Sequence, residues 1–135
     1  MTIKKKKKKL KSIPLLKRTA QKYFNNYIRK RDILGPTFVC ISCGKTLPAE
    51  AGQCGHYYPV KGFGHLRYNE DNAHVECRGC NGFADAHLIF YTWNLITKIG
   101  LDEYNKLFHM ATEEHVDWKR EQLEEIIKKY KLLTT

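Results

Sequence analysis

No stretch of this 135-residue chain approaches the about 18 consecutive apolar residues that a membrane-spanning helix needs. The Lys4–Lys9 run has the charge of a signal-peptide leader, but Ile13-Pro14-Leu15-Leu16 is too short for the apolar core of one. No internal repeat is present. Cysteine is too scarce, and its number too odd, for a closed disulfide framework. Five thiols read better as four metal ligands with Cys54 left over, a usage suited to a reducing compartment. Acid is nearly missing from the start of the chain. Residues 1–32 hold 13 of the 24 Lys and Arg but only Asp32 of the 14 acids, a net +12, whereas the remaining 103 residues sum to −2.

What is present begins with that basic segment. Residues 1–12 are too charged to pack, and disorder without a bound partner is expected; the basic arm is assigned to 1–14. From about Leu15, apolar Leu16, Ala20, Tyr23, Phe24, Tyr27 and Ile28 recur at helical spacing, which predicts a basic helix over 15–32. Gly35-Pro36 stops it. Lys4, Lys5, Lys6, Lys7, Lys8, Lys9 and Lys11 of the arm are candidate phosphate contacts. So are Lys17, Arg18, Lys22, Arg29, Lys30 and Arg31 of the helix, because neutralising phosphates releases counterions. Such charges carry no base code, so recognition of DNA shape and backbone is expected.

Further on, Thr37–Ile41, Gln53–Tyr58 and Ala73–Glu76 read as strands, with a brief strand at Leu66–Tyr68 and a turn at Asn69–Asn72. A helix from Asn81 would bury Leu88, Ile89, Trp93, Ile96 and Ile99 and end at Gly100. A shorter helix covers Asp102–Met110. A last helix, capped at Thr112, carries an apolar stripe of Val116, Leu123, Ile126, Ile127 and Tyr130. The chain is thus expected to be one α+β domain over 15–135, with a zinc-containing core at 37–98 and C-terminal helices at 101–133.

The chemistry centres on two matched pairs, Cys40-x-x-Cys43 and Cys77-x-x-Cys80. Each suits a knuckle that aims two thiolates at one tetrahedral Zn²⁺, and four sulfurs leave no position for water. The zinc would be structural. Between the pairs lies His56, and directly after the second comes Asn81. A zinc-stapled ββα finger with a His on its first strand, an Asn in the loop and a metal ligand at the helix start is the HNH, or His-Me, nuclease layout. In it His56 is the general base and Asn72 holds the loop. Asn81 and Asp85, four residues apart on one helix face, seat a catalytic Mg²⁺ or Mn²⁺. His74 is the weaker ligand candidate. The bland alternatives are a structural histidine at 56, turn chemistry at Asn72 and a helix cap at Asn81.

The sequence resembles the NinG (Rap) recombination proteins of lambda-like phages. The resemblance runs through Tyr23-Phe-Asn-Asn-Tyr-Ile-Arg-Lys-Arg-Asp32, Cys40-Ile-Ser-Cys-Gly44, Gly55-His-Tyr57, Leu66-Arg-Tyr-Asn-Glu-Asp-Asn72, His74, Cys77-x-x-Cys-Asn81 and Ile99-Gly100-Leu101. It covers roughly residues 18–110. It implies a structure-specific endonuclease for branched recombination DNA, such as Holliday junctions and D-loops, working in the cytoplasm of a bacterial host. The knuckles also look like those of phage endonuclease VII, whose zinc-framed His and following Asn match His56 and Asn81. That pattern has an aspartate immediately before the histidine, where this chain has Gly55. The missing ligand then falls to Glu50, Glu70, Asp71, His74 or Asp85, among which sequence does not choose.

Gly55 is also the main support for the rival reading, a non-catalytic zinc-finger DNA-binding accessory protein. An RNA-binding zinc knuckle is a third. Cutting two symmetric strands needs two active sites, so a homodimer through the last helix is a further expectation.

Overall fold

The computed structural model describes residues 9–82 and 84–135, apart from the side chains of residues 84–86. The expectation of disorder in the lysine arm, and the contacts expected of Lys4–Lys8, therefore lie outside the described residues.

Helix α1 spans Ile13–Asp32. Ser12 caps it, accepting from the Leu15 N–H at 3.3 Å, and Pro14 sits in the first turn, where it sacrifices no helical hydrogen bond. The helix thus claims Ile13 and Pro14, which the sequence pattern assigns to the arm. Leu16, Ala20, Phe24 and Ile28 recur every four residues and bury completely or nearly so. Arg29, Lys30 and Arg31 fall in the last turn, where positive charge opposes the helix dipole favourably.

Two small antiparallel hairpins follow. Strands β1 (Thr37–Val39) and β2 (Thr46–Pro48) pair with Phe38 opposite Leu47; β2 has no counterpart among the strands expected from sequence. Strands β3 (Gln53–His56) and β4 (Ala73–Glu76) pair with Gly55 opposite His74 and His56 opposite Ala73. No strand forms at Leu66–Tyr68. That region makes a 3-10 turn at Gly64–Leu66 and drives Leu66 into the core.

Helix α2 is the short Arg78–Gly82, and α3 runs Ala84–Ile99. The expected buried face of α3 is wrong: Ile89 and Trp93 are each 74% exposed. The helix turns Tyr91 and Leu95 inward instead, because the Tyr91 hydroxyl donates to the Gly55 carbonyl at 2.8 Å and fixes the rotation.

Helix α4 covers Leu101–Thr112, and α5 covers Arg120–Thr134. Thr112 closes α4 rather than capping α5, and Val116 is 70% exposed in the connection. The α5 stripe of Leu123, Ile126, Ile127 and Tyr130 packs on α1 of its own chain, where Tyr130 meets Phe24 edge-on at 5.1 Å.

Two apolar clusters result. The larger joins α1, α5, β1 and the face of the second hairpin bearing Ala73 and Val75. The smaller gathers Tyr57, Leu66, Tyr91, Leu95 and Leu107 under α3 and α4. The β3–β4 hairpin is held between them, one face against α1 and the other against α3. Among the described residues, no helix is long and apolar enough to cross a membrane.

Candidate active site and metal centre

The Cys40–Cys43 knuckle grows out of β1. Cys40 N–H donates to the Lys45 carbonyl and Gly44 N–H to the Cys40 carbonyl, both at 3.0 Å. Gly44 adopts φ of 72°, a left-handed turn that a residue with a Cβ adopts only at a cost. The second pair begins directly after β4 and is carried by α2. The Ile41 N–H bonds the Val75 carbonyl at 3.1 Å and brings the knuckles together.

The four Sγ atoms lie within 4.8 Å of one another, and those of Cys43 and Cys77 are 3.9 Å apart. A tetrahedron of Zn–S bonds of about 2.3 Å has edges of roughly 3.8 Å, so the four residues fit one zinc ion. Backbone N–H groups of Cys43 and Cys77 point at Cys40 Sγ, and that of Cys80 at Cys77 Sγ. Burial raises the thiol pKa values of Cys40 and Cys80, and neighbouring thiols raise that of Cys80 further. Burial also opposes ionisation of Cys77, but hydrogen bonds from Cys80 and the neighbouring thiols outweigh it and lower its pKa; a cation among the four sulfurs would offset the mutual repulsion of their thiolates. Cys54 stands apart, its thiol pushed up to about 12 by burial, and packs in the larger core.

Beside this centre a cleft of about 510 Å³ is lined by His56, Glu76, Asn81 and His87, with Ser42 and Tyr91. His56 ends β3 and turns toward α1, where its ring lies 6.0 Å from that of Phe24. Its Nε2 is 2.9 Å from the Arg67 carbonyl, which can only accept, so the ring proton resides on Nε2. Gln21 secures this partner: its amide donates to the same carbonyl at 3.2 Å and accepts from Arg67 Nε at 2.9 Å. Nδ1 is left as the basic nitrogen, without a partner among the described residues. Burial lowers the His56 pKa and only partly gives way to the Arg67 carbonyl, so the ring is neutral at pH 7.

Asn72 is fully buried and ties the chain around the site. Its Nδ2 donates to the carbonyls of Tyr58 and Leu66, both at 3.1 Å, and its Oδ1 accepts from Tyr58 N–H at 2.8 Å. Asn81 lies at the cleft edge and donates to Gln53 Oε1 at 3.0 Å. The Asp85 side chain lies outside the described residues.

His74 is taken elsewhere. It is 1% exposed, its Nδ1 accepts from Lys98 at 2.8 Å, and its Nε2–H donates to the Asp71 carbonyl at 2.8 Å. Burial first, then the charge of Lys98, lowers its pKa to about 4. Around it, Asp32 pairs with Arg31 at 2.7 Å and Lys98 at 3.0 Å. With both ring nitrogens engaged, His74 has no lone pair for a cation.

Arg31 belongs to the same network, donating also to the carbonyls of Glu70 and Ala73, which turns it inward rather than toward a phosphate. Lys9, Lys11, Arg18, Lys22 and Lys30 are exposed, whereas Lys17 and Arg29 are half-buried.

Sequence patterns do not single out Ser42, Glu76, His87, Gln21 or Arg67. None of Glu50, Glu70, Asp71 and His74 lines the cleft with His56; among the described residues, the carboxylate there belongs to Glu76. A readable signal exists, since strand alternation puts residues 74 and 76 on one face. The hairpin register that brings that face over Gly55 is not written locally.

Comparison with known proteins places the chain. A family model described as "Bacteriophage Lambda NinG protein" matches residues 1–135. The protein ninG of Escherichia phage lambda is 38% identical over 88 residues, which are 65% of this chain and 41% of that protein. The protein ninG of Salmonella phage P22 is 39% identical over 82 residues, 61% of this chain and 38% of its own. The matched segment thus spans about two-fifths of these relatives' length. No solved structure matches. With its whole length matched by the family model, and with four cysteines gathered at metal-binding distance, this chain belongs to the NinG family.

Proposed function

We propose that this chain is a His-Me finger endonuclease, with β3, β4 and α3 as its ββα unit, that hydrolyses phosphodiester bonds in branched recombination DNA. The observation that carries the reading is His56, a neutral imidazole at a cleft edge whose Nε2 proton is committed to a backbone carbonyl and whose Nδ1 is not.

In this reading His56 Nδ1 takes the proton of the attacking water, and the Arg67 carbonyl steadies the imidazolium that results. Gln21 and Asn72 hold that carbonyl and the loop following β3, so the ring keeps one pose. Oxygen and nitrogen donors at the cleft suit a hard divalent cation such as Mg²⁺ or Mn²⁺, with Asn81 at its edge as one holder. When bound, that ion stabilises the negative charge developing on the phosphate and the departing 3′ oxygen. Products carry 5′-phosphate and 3′-hydroxyl ends. Exposed Arg18, Lys22 and Lys30 of α1, together with the lysines of the arm, supply backbone contacts.

The test is nicking of a four-way junction with Mg²⁺, Mn²⁺ or EDTA, using wild type and His56→Ala. Metal-dependent products lost in the variant, with zinc content and junction binding retained, support the nuclease. Tight binding without products in wild type supports the accessory DNA-binding protein instead.

A further inference from the structure

The acid absent before His56 has a stand-in from the neighbouring strand. Gly55 and Glu76 share one face of the β3–β4 hairpin, offset by one diagonal step, since Gly55 is paired with His74. A Cβ built on Gly55 would overlap Glu76 Oε1 and come within 2.6 Å of its Cδ. The carboxylate of residue 76 therefore fills the space where a side chain at position 55 would project.

Glu76 is only 4% exposed yet borders the cleft. Its Oε2 accepts from the Ser42 hydroxyl at 2.6 Å. Ser42 is itself 2% exposed and lies between the two cysteines of the first knuckle, so the zinc centre aims this carboxylate. Its Oε1 has no donor among the described residues. His87 lines the same cleft, and its Nδ1 lies 3.2 Å from Cys80 Sγ. A zinc-bound thiolate is an acceptor there, which places the ring proton on Nδ1 and leaves Nε2 as a lone-pair donor.

We infer that Glu76 Oε1 is the anionic ligand for the divalent cation of this cleft, with His87 Nε2 as its neutral companion, and that Gly55 is glycine because Glu76 occupies its side-chain space. The inference rests on the nuclease reading for its purpose, though not for its test. A buried carboxylate held by a knuckle hydroxyl, with an imidazole in the same cleft lining, offers donors to a small dication whatever the reaction.

The test titrates zinc-loaded full-length protein with Mn²⁺, following free Mn²⁺ by electron paramagnetic resonance, with zinc content and circular dichroism as folding controls. Wild type should bind one Mn²⁺ beyond zinc. Glu76→Gln, which keeps an acceptor for Ser42, should weaken that binding tenfold or more, and His87→Ala severalfold. The decisive variant is Gly55→Asp with Glu76→Ala, which removes the overlapping atoms and returns a carboxylate from the other strand. Recovery of Mn²⁺ binding in the double variant, against loss in Glu76→Ala alone, supports the inference. No second ion on wild type, or unchanged affinity in Glu76→Gln, overturns it. Junction cleavage that persists in a Glu76→Gln protein of unchanged Mn²⁺ affinity would sink this site and spare the nuclease. Glu76-dependent Mn²⁺ binding without cleavage by wild type would do the reverse.

Discussion

Two histidines occupy neighbouring rungs of one hairpin, His56 opposite Ala73 and His74 opposite Gly55, and they are put to different uses. Both are pushed toward neutrality by burial. His74 spends both nitrogens inside the protein, on Lys98 and the Asp71 carbonyl, within a cluster whose charges offset one another. His56 spends one nitrogen, keeps the other, and lines a cleft. Burial alone therefore does not mark a reactive group. What separates a structural imidazole from a candidate base is how many of its hydrogen-bonding positions the fold has already claimed.

The largest effect should come from removing the brace that both histidines share. Cys77 directly follows β4, and zinc-linked folding in small domains is worth on the order of 10 kcal/mol, comparable to a whole domain's stability. Cys77→Ser should drop zinc below one equivalent per chain and abolish cooperative unfolding at 25 °C, read by circular dichroism. A cooperatively folded variant would show that zinc is not the brace.

The two histidines should then separate by readout. His56→Ala is expected to lower junction cleavage by about 10²–10⁴-fold, the usual contribution of a general base, with little change in stability. His74→Ala is expected to cost about 1–3 kcal/mol, because it leaves Lys98 and the Asp71 carbonyl without their buried partner. Its cleavage well below the melting temperature should stay within a few-fold of wild type. Swapped phenotypes would invert the assignment made from hydrogen bonding.

Acid sharpens the same contrast. A histidine with a folded pKa below its unfolded value makes the unfolded chain the stronger proton binder, so stability falls as pH drops. For His74 the window runs from about 6.5 down to about 4. Asp32, buried yet held below its ordinary value by Arg31 and Lys98, adds a loss of the same sign below about 3.8. Urea midpoints at pH 7, 5.5 and 4.5 should decline in wild type and decline less in His74→Gln at equal zinc content. Parallel declines would remove His74 as the source.

The smallest effect concerns charge remote from either ring. Deleting residues 2–11, which spares the Ser12 cap, should weaken junction binding and flatten its salt dependence. The log–log slope should fall by up to about 0.9 for each phosphate that the arm no longer neutralises. Stability should not change. An unaltered slope would show that the lysine arm does not touch phosphate.

Legibility varied with the range of the interaction that decides each feature. The cysteine pairs, the α1 stripe of Leu16, Ala20, Phe24 and Ile28, and strand β4 are local patterns and could be read directly. The exposed Trp93 and the 3-10 turn at Leu66 could not be, because one tyrosine hydroxyl bonded to Gly55 turns α3, and Leu66 packs against Tyr57, Tyr91, Leu95 and Leu107 from distant parts of the chain. Of the acids that sequence puts forward near His56, Glu50, Glu70 and Asp71 do not line the cleft. The acid that does lies 20 residues away, on the paired strand.

The amino-acid order alone settled that this chain could hold zinc, that its first helix is basic, and which family it belongs to. Those features depend on spacing, composition and identity. Which histidine keeps a free nitrogen, which acid shares its cleft, and that Arg31 turns inward were decided only in three dimensions. Hairpin register and helix rotation choose each side chain's partners, and they are set by contacts among residues far apart in the chain.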